Sequence, residues 1–469
     1  MKRFTHPILL SCYSTVLFFL MVVGILHISC DSFVEADSPQ SQLPSEAVFE
    51  NYATASAAIT DIYAKMRDRG MLTGQSSGIS YQLGSYCDEL DYYGSPTAAA
   101  AAFNTNALLP SNNLVQDYWS VAYNQIYAAN SVLERLETST ALSEEQITQL
   151  QGEAYFIRAM VHFYLTNLFG EIPYIKTTDY RLNSRAPKVT VKEVYSFTIH
   201  DLEQAATLLE KDYLRAERTR PNRYAVLALL SRVYLYDEKW AEAANAASVL
   251  LNATELYTLQ SDLKRVFLKE SKETIWQQQP SIAGKNTDQA ASFIFFTVPP
   301  PSAALTAEFI NSFASTDLRK SNWTGSMANA SSTWYYTYKF KEFYNTPVSK
   351  EYPVVLRLAE QYLIRAEARA QQGDLISSKE DLNRIRQRAG LAQALASSKE
   401  ELLQAILEER KLELFSEYGH RFFDLKRNGQ LDQALSTLKP GWNTTDRLFP
   451  LPQNEINLNP TLLPQNDGY

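Results

Sequence analysis

A chain of 469 residues, 45% hydrophobic and 20% charged, is long enough to bury a large core as one domain or as two to three smaller ones. Its net charge of −8 argues against binding by phosphate neutralisation, which needs a concentrated basic face, so nucleic acid is not an expected partner. Three cysteines, Cys12, Cys30 and Cys87, none in a CxxC pair, exclude a disulfide framework and the usual zinc and thiol-redox motifs.

The N-terminus is laid out as an export leader. Lys2 and Arg3 precede an apolar core containing Leu17, Phe18, Phe19, Leu20, Val22 and Val23, and small or polar residues follow before Cys30. Ile28-Ser29-Cys30 at the end of that core resembles a bacterial lipobox, so residues 1–29 are expected to be removed and Cys30 to be acylated. A spanning helix or a plain cleaved leader are the competing readings; no stop-transfer charges follow the apolar run. Loss of residues 1–29 leaves 42 basic against 52 acidic residues, a charge of −10. Residues 30–44, polar and proline-containing, read as a tether, and 45–469 as a single domain with parts at about 45–253 and 254–469.

Downstream, apolar spacings of three and four predict helices at about 45–69, 112–136, 143–169, 191–211 and 399–418, so the fold class is mainly α. YAVLALLSRVYLY from Tyr224 is a further helix, with Pro221 near its first turn. The turn Asp237-Glu238-Lys239 then leads to WAEAANAASVLL, whose alanines permit close helix approach. The same grammar recurs in VVLRLAEQYLIRAEARAQQGDLISSKEDLNRIRQRAGL, where Gly373-Asp374 divides two helices and Gly390 suits the position after the second. Such pairs have the character of tetratricopeptide-like hairpins, without a strict 34-residue repeat. Residues 70–110 and 254–352 lack helical period and read as long binding loops; their aromatics argue against disorder.

Catalytic motifs are weak. Gly74-Gln75-Ser76-Ser77-Gly78 matches GxSxG, but no hydrophobic strand precedes Ser76, and a flexible loop explains the composition. His162, His200 and His420 are isolated, without metal-ligand spacing, and read as helix or capping residues. No Walker A or dinucleotide glycine pattern occurs, so no cofactor, metal or catalytic residue is expected. The loops offer more: Tyr81, Tyr86, Tyr92 and Tyr93 alternate with Asp88, Glu89 and Asp91, and Trp323, Trp334, Tyr335, Tyr336 and Tyr338 lie among Asn, Ser and Lys. Rings beside short polar groups suit a sugar, which stacks a flat apolar face and hydrogen-bonds its hydroxyls. They also suit a peptide. The competing reading is that alternate rings of WYYTYKF bury one face of a short strand. The candidate ligand-binding set is Tyr81, Tyr86, Asp88, Tyr92, Tyr93, Trp323, Trp334, Tyr335 and Tyr336. The acids Asp88, Glu89 and Asp91 are read as solvated, with calcium or a basic side chain as alternatives.

Several separated stretches carry a resemblance to one family. CDSFVEADSP, GEAYFIRAMVHFYLTNLFGEIPY, RLAEQYLIRAEARAQQGD, NRIRQRAGL, ILEERKLELFSEYGHRFFDLKRNG and LFPLPQNEINLNPTLLPQNDGY follow in the order that is similar to SusD/RagB proteins, surface lipoproteins of Bacteroidetes nutrient uptake. The resemblance implies TPR-like helical hairpins packed against a loop-rich ligand-binding half, lipid-anchored at the outer-membrane surface. It also implies a SusC-like TonB-dependent transporter as partner and capture of an oligosaccharide without chemistry; peptide capture, as on the RagB side, is the alternative, and a surface hydrolase a weaker one. Read from chemistry alone, Arg365, Glu367, Glu408, Glu409 and Arg410 are architectural, and the Pro/Asn-rich tail is irregular coil.

Overall fold

In the computed structural model, which describes residues 48–469, the first expected helix runs as α1 (Tyr52–Asp68), opened by Asn51, whose side chain accepts from the Thr54 N–H at 3.0 Å. The leader, Cys30, the tether and the start of the helix expected at residue 45 lie outside the described residues. Residues 70–110 are not the open loop their composition suggests. They hold α2 (Ile79–Tyr86), buried along its whole length, then β1 (Leu90–Tyr92) and a short helix at Ala101–Asn104. Eight residues without a polar stripe carry no amphipathic period, which is why periodicity overlooks a fully buried helix.

The long helices follow their capping signals. α3 (Asn113–Thr138) begins at Asn112, and α4 (Glu144–Phe169) at Ser143, where the Ser143 and Gln146 side chains cap reciprocally. α4 is buried on nearly every side from Leu150 onward and stops at Gly170, whose φ of +76° ends the helix. α5 (Val191–Leu208) uses a second capping box, Thr190 with Glu193. α6 (Arg223–Tyr236) starts one residue later than Pro221 suggests: Asn222 is its cap and Pro221 stays outside.

α7 (Trp240–Leu251) packs on α6 after the expected turn, with Glu238 at φ +58°. Strands then interrupt the helical run: β2 (Thr274–Gln277), β3 (Ala303–Leu305), β4 (Thr324–Ala328), β5 (Thr333–Thr337) and β6 (Val354–Arg357). α8 (Leu358–Gln371) and α9 (Leu375–Arg388) form the second hairpin about Gly373, with φ +87°. Buried alanines on α7 (Ala243, Ala246, Ala247) and α8 (Ala359, Ala366, Ala370) let helices approach closely, and α7 packs against α8. α10 (Lys399–Leu414) ends short of the expected 418 because Ser416, Tyr418 and Gly419 take positive φ to turn the chain into α11 (His420–Arg427). The tail is mostly coil, tied to the end of α4 by Phe449 N–H to Leu168 O at 2.8 Å and by the Asn466 side chain to Phe169 O at 2.8 Å.

The fold is mainly α, with helical hairpins packed beside a small mixed region. Polar groups that sequence chemistry reads as architectural are so placed: Arg365 pairs with Asp381 at 2.6 Å, Glu367 with Arg427 at 2.7 Å, and Arg410 with Asp424 at 2.7 Å. Glu408 differs, taking only Gln404 of its own helix at 3.1 Å. Arg232 and Glu360, both buried, join α6 to α8 through two bonds of 2.6–2.7 Å.

Candidate ligand-binding face

A four-stranded antiparallel sheet in the order β1-β3-β5-β4 organises the aromatic segments. Asp91 opposes Ala304 and Leu305 opposes Tyr335, so the next row places Ala304 beside Tyr336. On the far edge Gly325 opposes Tyr336 and Met327 opposes Trp334. Strand alternation therefore sorts the rings. Tyr335 and Thr337 share the face with Leu305; Thr337 is buried and hydrogen-bonds Ser416 at 2.8 Å, while Tyr92 and Tyr335 are half-buried against the core. Trp334, Tyr336 and, beyond the strand, Tyr338 alternate to the other face with Asp91, where Tyr336 and Tyr338 are half-buried and also touch the edge of the core.

Tyr336 is held by its neighbours. Its ring lies over Gly325, where an added Cβ would come within 2.4 Å of ring carbons, so only glycine fits beneath it. Phe295 meets it edge-on at 5.0 Å and Tyr338 at 5.8 Å, and the Lys341 ammonium sits 4.4 Å from the Tyr338 ring centre. Tyr93 extends the β1–β3 pairing, donating its N–H to Ser302 O at 2.7 Å, and remains 41% exposed. Partial burial and then Asp91 raise the pKa of its hydroxyl, with Trp334 acting in the opposite direction. Sequence reasoning missed the adjoining rings: Phe296, 55% exposed, meets Phe343 at 4.8 Å and stacks parallel to Tyr344, 71% exposed, at 6.3 Å. The signal lay in SFIFFTVPPP and KEFYNTP, where adjacent rings next to turn residues cannot all face one core.

Four expected ligand residues are corrected by burial. Tyr81 lies inside α2 against Phe293. Tyr86 is enclosed by Phe103, Phe422, Trp442 and Phe449, with its hydroxyl given to Asp446 O at 2.9 Å. Asp88 is buried in an ion pair with Arg421 at 2.8 Å, so it is neither solvated nor free for a ligand. Trp323 is fully buried, its indole N–H donated to Leu263 O at 2.9 Å and its ring beside Phe267, Lys339, Arg357 and Arg388. The structure thus brings Tyr93, Trp334 and Tyr336 to one face and takes Tyr81, Tyr86, Asp88 and Trp323 into the core.

The acids of this segment diverge. Beside the Asp88–Arg421 pair, the Glu89 carboxyl is buried with one oxygen unpartnered and the other 3.3 Å from Ser416 N. Burial, then Asp88, raise its pKa to about 8, against partial relief from Lys339 and Arg421. The folded state therefore holds a proton there that the unfolded chain releases near pH 4.5, and stability falls as pH rises from about 4.5 to 8. Glu89→Gln is expected to be more stable than the parent by at least about 1 kcal/mol at pH 8, the gain vanishing below pH 4.5. Urea unfolding at pH 4, 6 and 8 checks it; a variant that is less stable at pH 8 refutes the assignment.

Among the described residues no group of three or more His, Cys, Asp or Glu could hold a metal ion. Ser76 lies in an exposed turn before α2 and has no histidine hydrogen-bond partner there. His162 is buried, its Nδ1 to Arg158 O at 2.8 Å and its Nε2 accepting from Ile175 N–H at 3.2 Å; burial depresses its pKa to about 3. His420 is likewise buried, as the first residue of α11.

A family model described as "Starch-binding associating with outer membrane" matches residues 33–235, and the SusD family model matches 272–469. The chain belongs to the SusD/RagB family. It is similar to two SusD-like proteins of Formosa agariphila, at 26% identity over 96% of this chain and 98% of the relative, and at 22% over 94% and 97%. Its fold is similar to a SusD superfamily protein from Bacteroides vulgatus, with a TM-score of 0.77, 23% identity and coverage of 89% of this chain and 99% of that one. A structure named as a laminarin-binding SusD-like protein gives a TM-score of 0.73 at 24% identity, covering 89% and 99%. The SusD/RagB match thus spans both the helical hairpins and the aromatic sheet. Among the described residues no helix is long and apolar enough to cross a membrane.

Proposed function

We propose that this SusD/RagB protein captures an oligosaccharide at the cell surface on the aromatic face of the four-stranded sheet and delivers it to a SusC-like TonB-dependent transporter, without chemistry of its own. The observation that carries the reading is the set of pre-positioned rings: Trp334 and Tyr336 on one strand face, Tyr336 meeting Phe295 edge-on, Tyr93 exposed at the end of the β1–β3 pairing, and Phe296 stacked with the exposed Tyr344. Rings locked by neighbours lose little freedom on binding, so stacking on the apolar faces of pyranoses is not offset by ordering. Tyrosine hydroxyls and Asp91 accept or donate to sugar hydroxyls. Structures of similar fold named as a laminarin-binding SusD-like protein and as a surface glycan-binding protein of Bacteroides uniformis support the ligand class. The family's outer-membrane association supports the location, with Cys30 as the acylated residue.

Calorimetry of the purified full chain against starch, laminarin, mannan and xylan oligosaccharides, with mixed peptides alongside, tests the reading. One glycan class should bind saturably, and Tyr336→Ala should weaken it about tenfold. Binding of peptides alone, or glycan binding indifferent to Tyr336, sinks it. Cys30→Ala should move the protein from the membrane to the soluble fraction on cell fractionation; unchanged attachment refutes the anchor.

A further inference from the structure

A second ring-lined recess lies on the helical side and shares no residue with the sheet. Trp119, Tyr123 and Tyr127 recur every four residues along α3 and so climb one helix face. The opposing wall is Pro173 and Ile175 after α4 together with Glu455, Leu458 and Asn459 of the tail, and the cavity between has a volume of about 560 Å³. That is the size of a small-ligand site.

The platform is rigid. Trp119 and Tyr123 rings lie 4.9 Å apart, Trp119 stands perpendicular to Phe169 at 5.2 Å, and Tyr123 donates its hydroxyl to Pro173 O at 2.8 Å. Tyr127, 52% exposed, offers a free ring face at the rim. Polar groups converge between the rings: Ser120 and Asn124 from α3, Asn183 and Ser184 from the facing segment. Glu455 is the one charged residue of the lining among the described residues. One of its oxygens accepts from Gln116 at 2.8 Å and Ser120 at 3.4 Å, and the other has no protein partner. Without a lysine or arginine in the wall an anionic ligand finds no counter-charge, whereas hydroxyl groups find both donors and a strong acceptor.

We propose that this groove is a second saccharide site, taking a neutral oligosaccharide with pyranose faces on Tyr123 and Tyr127 and hydroxyls on Asn124 and Glu455. The inference rests on the reading that this chain binds glycans. Two sites on one chain would hold a long glycan more tightly than either site alone.

The test uses the full chain purified in detergent, with maltohexaose, laminarihexaose, cellohexaose and mannohexaose as probes, followed by calorimetry and hydrogen-exchange mass spectrometry. The expected result is protection of peptides from α3 and from 453–459 by one of these sugars. Tyr127→Ala should weaken that protection at least tenfold, Tyr127→Phe should retain it, and Trp334→Ala should leave it unchanged. Binding lost in Trp334→Ala and unaffected by Tyr127→Ala overturns this site while leaving the sheet reading intact. Binding lost only in Tyr127→Ala supports the groove and sinks the sheet. Silence toward all four sugars overturns both, and protection of the groove only by an added protein makes it a protein contact and overturns the saccharide assignment.

Discussion

Replacing Arg357 by alanine is expected to destabilise the chain by about 3–5 kcal/mol, because it takes one cationic partner from each of three buried carboxylates at once and leaves the network with excess buried negative charge. The Arg357 guanidinium reaches Glu273 at 3.1 Å, Glu413 at 2.6 Å and Glu417 at 2.7 Å, and also donates to Glu413 O at 2.8 Å. Around it, Arg388 pairs with Glu273 at 2.9 Å and with Glu413, Arg319 with Asp317 at 2.8 Å and Glu409 at 2.6 Å, and Lys339 with Glu417. This buried network joins β6, α9 and α10 to the residues beneath the aromatic sheet, so its loss should loosen the aromatic face as well as the core. Burial alone would raise the Glu413 carboxyl, but Arg388, Arg357 and Arg319 hold it well below the ordinary carboxylate range. A depressed acid stabilises the fold fully above its unfolded pKa near 4.5 and loses that contribution as pH falls through its folded value. The deficit of Arg357→Ala should therefore be largest near neutral pH and shrink on acidification. Urea titrations at pH 7 and pH 4 measure it, and a deficit under 1 kcal/mol at pH 7 would show that the network is dispensable. In the double variant with Glu417→Ala the losses should add to less than their sum, since each removes part of the other's penalty.

The second large effect separates two tryptophans that stand only eleven positions apart. Trp323→Ala should lower stability by about 3–5 kcal/mol, since it removes a fully buried ring packed on Phe267 and leaves the Leu263 carbonyl without its indole donor. Trp334→Ala, on the half-exposed face of β5, should change stability by no more than about 1 kcal/mol and weaken glycan binding tenfold or more. Thermal melts and calorimetry on both variants decide the matter. A stable Trp323→Ala that loses binding would return Trp323 to the ligand site, and an unstable Trp334→Ala would make that ring part of the core.

Much of the fold is legible along the chain because its causes are local. The Ser143–Gln146, Thr190–Glu193 and Ser398–Glu401 pairs announce helix starts, Gly170, Gly373 and Gly390 allow the positive φ that ends a helix, and apolar spacing of three and four fixes the buried stripe between. The hairpins and the architectural role of Arg365, Glu367 and Arg410 follow from the same local logic. The aromatic face does not. Asp91 and Tyr336 share a row only because β3 lies between β1 and β5, an adjacency of residues 245 positions apart that no local pattern encodes. Alternation in WYYTYKF states that the rings divide between two faces and leaves open which face is covered. Likewise Tyr81, Tyr86 and Asp88 sit among polar and glycine residues like an exposed loop, yet Phe293, Phe449 and Arg421 arrive from distant segments to bury them. Residue chemistry alone determined the long amphipathic helices; the pairing of distant strands decided which rings meet solvent, because burial depends on what packs above a face and not on the residues that form it.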